Sequence, residues 1–171
     1  YGEAVTLGAN TTLAAGSGDV SLGSTVNGAY ALTVNSTGTT TFGGAIGAGT
    51  ALTSVTTNTG GTLVMNGGSI TTTGAQSYGE AITLGADTTL STGSADVTLS
   101  STLNGAYALT VNSTGTTTFG GAIGAGTALT SVTTNTGGTL VMNGGSITTT
   151  GNQSYGEAVT LGANTTLAAG S

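Results

Sequence analysis

The stretch Tyr1–Ser17, YGEAVTLGANTTLAAGS, returns without a change at Tyr155–Ser171, and a near-copy, YGEAITLGADTTLSTGS, begins at Tyr78. Tyr1, Tyr78 and Tyr155 are therefore spaced 77 residues apart. Self-similarity at a fixed period is settled before any domain argument, because it changes what a domain is. Residues 1–77 form one repeat, 78–154 a second, and 155–171 the start of a third, so 1–171 reads as one continuous repetitive segment. Both ends fall inside the pattern, which is the expectation for a window cut from a longer array.

The first two repeats differ at nine positions: Val5/Ile82, Asn10/Asp87, Ala14/Ser91, Ala15/Thr92, Gly18/Ala95, Ser21/Thr98, Gly23/Ser100, Val26/Leu103 and Ala75/Asn152. The changes at Val5 and Val26 keep apolar character, as packing demands. Those between Asn10 and Gly23 alter polarity or charge, which predicts an exposed corner without a ligand.

Thr (41), Gly (33) and Ser (16) make up more than half of the chain, which has no Pro, Cys, Trp, Lys, Arg or His. Disorder requires low hydrophobicity, usually with high charge, whereas this chain is 36% hydrophobic and 4% charged. Its Thr, Val and Ile content favours strands, and helix is disfavoured by the same Thr and Gly. Short alternating pairs recur: Val5 with Leu7, Val20 with Leu22, Leu32 with Val34, Thr40 with Phe42, Leu63 with Met65. Period-two alternation turns one side of each short strand inward. Asn27-Gly28, Gly43-Gly44, Gly60-Gly61 and Asn66-Gly67-Gly68 supply corners suited to positive φ. Written as successive coils, the segments starting at Asp19, Thr39, Gly61 and Gln76 predict an all-β parallel solenoid with about four coils per repeat and about nine in all. The inward set is then Val5, Leu7, Val20, Leu22, Leu32, Val34, Phe42, Leu63 and Met65, with their copies.

The segments AVTLGANTTL (Ala4–Leu13), ALTVNSTGTTTFGGAIG (Ala31–Gly47) and NGGSITTTGAQSYGEAITLGADTTL (Asn66–Leu90) resemble the stalk repeats of large bacterial surface adhesins of the filamentous-haemagglutinin-like kind. The resemblance covers the whole chain but carries no chemical motif. It implies a right-handed parallel β-helix, secretion to the cell surface, and a receptor met through tip domains that have no counterpart in these residues.

The search for chemistry excludes more than it finds. Without His, Cys, Lys or Arg there is no thiol or imidazole nucleophile, Schiff-base lysine, zinc site or arginine clamp. Six carboxylates remain: Glu3, Asp19, Glu80, Asp87, Asp96 and Glu157. Glu3 with Asp19, and Glu80 with Asp96, fall on adjacent coils where a catalytic pair would need to be, but as corner or surface charges they would simply keep the rod soluble. The glycines of GGAIGAG (Gly43–Gly49) lack the Lys of a phosphate loop. The Asp-bearing nonapeptide of calcium-binding solenoids is also absent. A net charge of −6 without one cationic side chain excludes nucleic acid and disfavours anionic membranes. No apolar run is long enough to span a bilayer. Asn10, Asn35, Asn112, Asn152 and Asn164 begin glycosylation sequons. The triplets Thr39–Thr41 and Thr71–Thr73 place paired threonines where an ice-binding face would.

Composition and repetition thus predict a structural module and no enzyme, catalytic residue, metal or cofactor. The expected role is an extracellular stalk or matrix filament. The alternatives are a self-assembling filament, its copies meeting end to end or laterally, or a glycan- or ice-binding threonine face. Absence of Lys and Arg leaves trypsin-like proteases no bond to cut, which suits an extracellular setting.

Overall fold

The computed structural model describes residues 1–170. Among them every strand pairing is parallel, no helix is present, and the chain winds into a β-solenoid. One face is a sheet of eight strands: Thr11–Gly16, Ala31–Ser36, Ser54–Thr57, Gln76–Tyr78, Val97–Leu99, Thr116–Phe119, Thr139–Met142 and Ala158–Leu161. Eight coils about 4.8 Å apart give a stack roughly 34 Å between its end strands. The expected ninth coil is absent because a coil uses about 20–24 residues, as the register steps from Ile46 to Ile70 and from Ile70 to Leu90 show.

Each coil has three strand positions, one on each face of the solenoid. Three inward columns run the length of the stack. The first is Val5, Val26, Ile46, Ile70, Leu90, Val111, Thr134 and Tyr155. The second is Leu13, Val34, Thr57, Tyr78, Leu99, Phe119, Met142 and Leu161. The third is Val20, Thr40, Leu63, Ile82, Leu103, Ile123, Ile147 and Leu167. One strand position per repeat breaks into isolated bridging residues, Ile46 and Leu52 or Ile123 and Leu129, at the two ends of the Gly-rich segment. The break hides it in the sequence, where Gly43–Gly49 reads as an irregular loop.

Eleven strand positions fill each repeat, counting the broken one. Eleven is not divisible by three, so the expected four coils resolve to three and two-thirds. Each copy therefore lands on a different face from its original. Val5 lies on the first column, but its copy Ile82 pairs with Leu63 and Leu103 on the third. Leu13 lies on the second, and its copy Leu90 on the first. Three repeats are needed to return to the same face, after eleven whole coils. The segment beginning at Gly61 also ends differently from the sequence layout. Gln76 pairs with Val55 and Val97, while Ala81 is the residue above Thr62. The expected boundary fell one face early because that segment holds only two of the three strands of a coil.

The expected inward residues are buried except Val5, half-buried on the first coil, and the third-repeat copies Val159 and Leu161, which are exposed on the last described coil. Val26, Ile46, Leu52, Val55, Ile70, Tyr78 and Leu90 join them. Asn10–Gly23 is not one exposed corner: Thr11–Gly16 and Val20–Leu22 are strands, and Val20 and Leu22 enter the core. Only the turn from Gly16 to Asp19 and scattered outward side chains are exposed.

The glycine corners serve two purposes. Gly28 and Gly60 have φ of 124° and 100°, which a side chain rarely tolerates. Gly44 and Gly67 have no such φ, yet a Cβ on Gly67 would strike the Gly44 carbonyl, and one on Gly44 would strike Ser24. These glycines let successive corners touch.

Two tests follow from this packing. Leu109 is fully buried between Thr88 and Val132. Leu109→Asp should cost more than the ~2–5 kcal/mol of deleting a buried leucine, since no cationic side chain exists to pair the carboxylate. Urea unfolding measures it, and an unchanged midpoint would place Leu109 outside the core. Gly67→Ala should lower the melting temperature, whereas Gly8→Ala, whose Cβ would meet nothing within 4 Å, should change stability by no more than about 0.5 kcal/mol. Equal melting temperatures for the two variants would refute the corner contact.

Candidate functional site

Most polar side chains that bond other residues do so between coils. Asp19 Oδ1 accepts from Thr39 N at 2.7 Å, and Asp96 Oδ1 accepts from Thr116 N at 2.7 Å. Asn27 Oδ1 accepts from Gly49 N and Thr50 N at 2.7 and 3.1 Å. These carbonyl and carboxylate oxygens take the place of the ladder where the chain turns a corner and its N–H groups would otherwise lack acceptors. Asn10 Oδ1 accepts from Ala31 N at 3.0 Å, and its copy Asp87 accepts from Ala108 N at 2.9 Å. The Asn/Asp difference therefore preserves the one atom the corner uses.

Glu80 and Glu157 differ from the other four carboxylates. The expectation that all six are corner or surface charges is corrected here: Glu3, Asp19, Asp87 and Asp96 are exposed, whereas Glu80 and Glu157 are 1% and 7% exposed. Glu80 lies above Gly61. Its side chain passes that glycine to reach Thr40, two coils below, whose Oγ1 donates to Glu80 Oε1 at 3.2 Å. A Cβ on Gly61 would stand 2.8 Å from Glu80 Oε1, so the glycine makes the passage possible. Thr57 lies beside the same carboxyl. Burial pushes the Glu80 carboxyl above its ordinary pKa, the Thr40 and Thr57 hydroxyls opposing the shift. Glu157 repeats the arrangement over Gly138 with Thr117 Oγ1 at 3.5 Å and Thr134, and its pKa is likewise raised by burial. Glu3, the third copy, is exposed on the first coil with no described coil beneath it.

The suggested Glu80–Asp96 pair does not form. Glu80 is bonded down the stack to Thr40, while exposed Asp96 is bonded up the stack to Thr116. Among the described residues no three His, Cys, Asp or Glu come together in a metal-binding group.

A second buried polar group escaped sequence reading. Gln76, fully buried, donates from Nε2 to Ile70 O, Thr72 Oγ1 and Ser91 O at 3.1–3.2 Å, and accepts from Tyr78 Oη at 2.9 Å. Gln153 and Tyr155 repeat the pair. Burial holds the Tyr78 phenol well above its ordinary pKa. The Gln-x-Tyr alternation was its only sequence signal.

The outward surface is threonine-rich in single file. Thr12, Thr33, Thr56, Ser77, Thr98, Thr118, Val141 and Thr160 stack along one face. The flanking columns are mixed: Ala14 pairs with Asn35, Ala31 with Ser54, and Thr139 with Ala158. In the triplets, Thr40 and Thr72 are buried, leaving Thr39, Thr41, Thr71 and Thr73 outward. Asn10, Asn35, Asn112, Asn152 and Asn164 are all exposed, and Asn10 is engaged with Ala31 N. The hollows seen in the structure lie at the first coil, where Tyr1, Val5, Leu7 and Leu13 leave the end of the core uncovered. Compared with protein-family models, curated proteins and solved structures, the chain has no match.

The corner reading makes a graded prediction. Asp87→Asn should leave stability unchanged, whereas Asp87→Ala should cost about 0.5–1.5 kcal/mol for the acceptor lost to Ala108 N. Thermal unfolding of the two variants checks it, and a costly Asp87→Asn would show that the charge matters in its own right.

Proposed function

We propose that this chain is a structural array, the repeated stalk of a large secreted surface adhesin or extracellular fibre of the filamentous-haemagglutinin-like kind. The observation that supports this reading most is the lag between repeat and coil. Any side chain copied every 77 residues appears on a neighbouring face in the next copy. The Thr12–Thr33–Thr56–Ser77 column recurs as its copy, Thr89–Thr110–Thr133–Ser154, on a different face, while different positions of the repeat, Thr98, Thr118, Val141 and Thr160, extend it on its own. A flat ligand surface growing with repeat number would require the copies to stay on one face. Inward and corner positions need only fit their neighbours, and they do so on every face.

In this role each repeat adds reach. Nearest-neighbour stacking makes every further coil repeat the same kind of interface, so stability also grows with number. Three and two-thirds coils at about 4.8 Å add roughly 17–18 Å per repeat. The exposed sequons are candidate attachment points for sugar in an extracellular setting. The competing reading, a self-assembling filament, shares the fold but requires contacts between chains.

Arrays of two, four and six repeats should lengthen by that increment in electron microscopy and remain monomeric, with no thermal hysteresis and no binding on a glycan array. Concentration-dependent elongation would replace the stalk with the filament. Ice or glycan binding that rises with repeat number would replace it with a multivalent surface.

A further inference from the structure

Glu80 and Glu157 are buried carboxyls in a chain that has no Lys, Arg or His. In each copy one carboxyl oxygen is bonded to a threonine two coils below, and the other has no hydrogen-bond partner: Glu80 Oε2 and Glu157 Oε2. The neighbouring threonine hydroxyls, Thr57 Oγ1 and Thr134 Oγ1, are also buried; they lie beside these carboxyls without a bond of full hydrogen-bond geometry. An ionised carboxylate could take the neighbouring threonine O–H onto its second oxygen, but its charge would be buried with no cationic side chain to offset it. A neutral acid has one donor, and beside it stands one hydroxyl able to accept.

We propose that Glu80 and Glu157 are proton-dependent latches, clasping three successive coils as neutral acids and loosening their corner when they ionise. The latch runs from Glu80, past Gly61 one coil below, to Thr40 one coil below that, and the Glu157–Gly138–Thr117 set repeats it. With the proton on Oε2, the carboxyl donates to Thr57 Oγ1 while Oε1 accepts from Thr40. The same proton in the second copy serves Thr134 and Thr117. When the proton leaves, a charge remains in the corner facing backbone carbonyls: those of Ser36 and Gly38 lie 2.9 and 2.5 Å from the point a Gly61 Cβ would occupy, the point that is 2.8 Å from Glu80 Oε1.

No other charge is positioned to replace the proton. The strands Ser54–Thr57, Ala31–Ser36 and Thr39–Phe42, which pack at the Glu80 corner, contain no ionisable residue, and the corner Gly60-Gly61 contains none. Ser100 and Ser101 stand in the coil above. Asp19, exposed beside Gly38 with Oδ1 accepting from Thr39 N, is a carboxylate of this corner, and it would repel a second negative charge. Asp96 occupies the same place at Gly115 for Glu157. Tyr78, the other ionisable group nearby, donates its phenol proton to Gln76. The latch does not depend on the stalk reading, because it requires only the folded coils.

The direction of the pH effect follows from the raised pKa. Between the ordinary glutamate value of 4.5 and the raised folded value, the folded chain keeps protons that the unfolded chain has released. The latch contribution is complete below the unfolded value and lost as pH rises through the folded value. The test is carbon-13 NMR of the Glu80 and Glu157 carboxyls across pH in the intact chain. Both should titrate above the ordinary glutamate value of 4.5. Titration of both at the ordinary value would overturn the latch without any variant having to fold. In parallel, the melting temperature of the unmodified chain should fall from about pH 4.5 to pH 8, and Glu80→Gln with Glu157→Gln should flatten that fall. A slope that persists unchanged in the double variant would overturn the assignment. So would calcium restoring the melting temperature of the unmodified chain at pH 8 but not that of the variant, since a cation rather than a proton would then occupy the corner.

Discussion

The backbone ladder between coils is the interaction on which everything else in this molecule depends. Every interior coil both donates N–H groups to and accepts them from the coils on its two sides, alternate residues facing alternate neighbours, as in Leu7 N to Asn27 O at 2.8 Å toward the next coil and Gly47 N to Val26 O at 2.6 Å toward the preceding one. The chain has no cysteine to bridge and no cationic side chain to form ion pairs, so beside the ladder coil is held to coil by the apolar columns it aligns and by corner bonds such as Thr39 N to Asp19 Oδ1. A coil of about 20 residues cannot offset its own ordering entropy. Stacking solves this by satisfying backbone groups and burying the same side chains together. The composition follows from that demand: Thr, Val and Ile for the strands, Gly where corners touch, and Asn or Asp where a corner N–H needs an acceptor.

The mismatch between repeat and coil gives the rod its second property. Because eleven strand positions are distributed over three faces, a residue never stacks on its own copy in the neighbouring coil. Phe42 lies between Leu22 and Met65, and Tyr78 between Thr57 and Leu99. Large side chains meet smaller or more flexible ones, which favours dense packing over identical ladders. Each inward residue must therefore be compatible with neighbours from other positions in the repeat. That requirement is consistent with an inner surface that varies little: among the nine differences, the apolar replacements are Val5/Ile82 and Val26/Leu103, both small changes of volume. Ala15/Thr92 is different in kind, for the added hydroxyl is buried and donates to Ala95 O.

The core also accommodates polar groups, at corners where the ladder is interrupted. Gln76 uses its amide to bond three oxygens and its own carbonyl to hold Tyr78, a fully satisfied cluster. Glu80, four residues on, is only half satisfied by its threonine partners. The contrast between the two is what singles Glu80 out. Both reach across coils, but only the carboxyl can ionise, and no cationic side chain exists to offset its charge.

Much of this was legible without coordinates. The period of 77, the all-β character and inward pairs such as Leu32 with Val34 or Leu63 with Met65 depend on alternation between near neighbours, which a linear sequence displays directly. One strand position in each repeat was not legible, because Ile46 and Ile123 hold their places as isolated bridges beside glycines and produce no alternation. Nor was the burial of Glu80. Its copy Glu3 has the same sequence neighbours and is exposed, so local sequence cannot distinguish them. Sequence determined that this chain forms short parallel strands with glycine corners and no charge-based chemistry. Tertiary structure decided which face each strand occupies and which carboxyl is buried. The physical reason is that stacking couples residues about 20 to 24 and, through Gly61, 40 positions apart, and those separations depend on the length of every intervening turn.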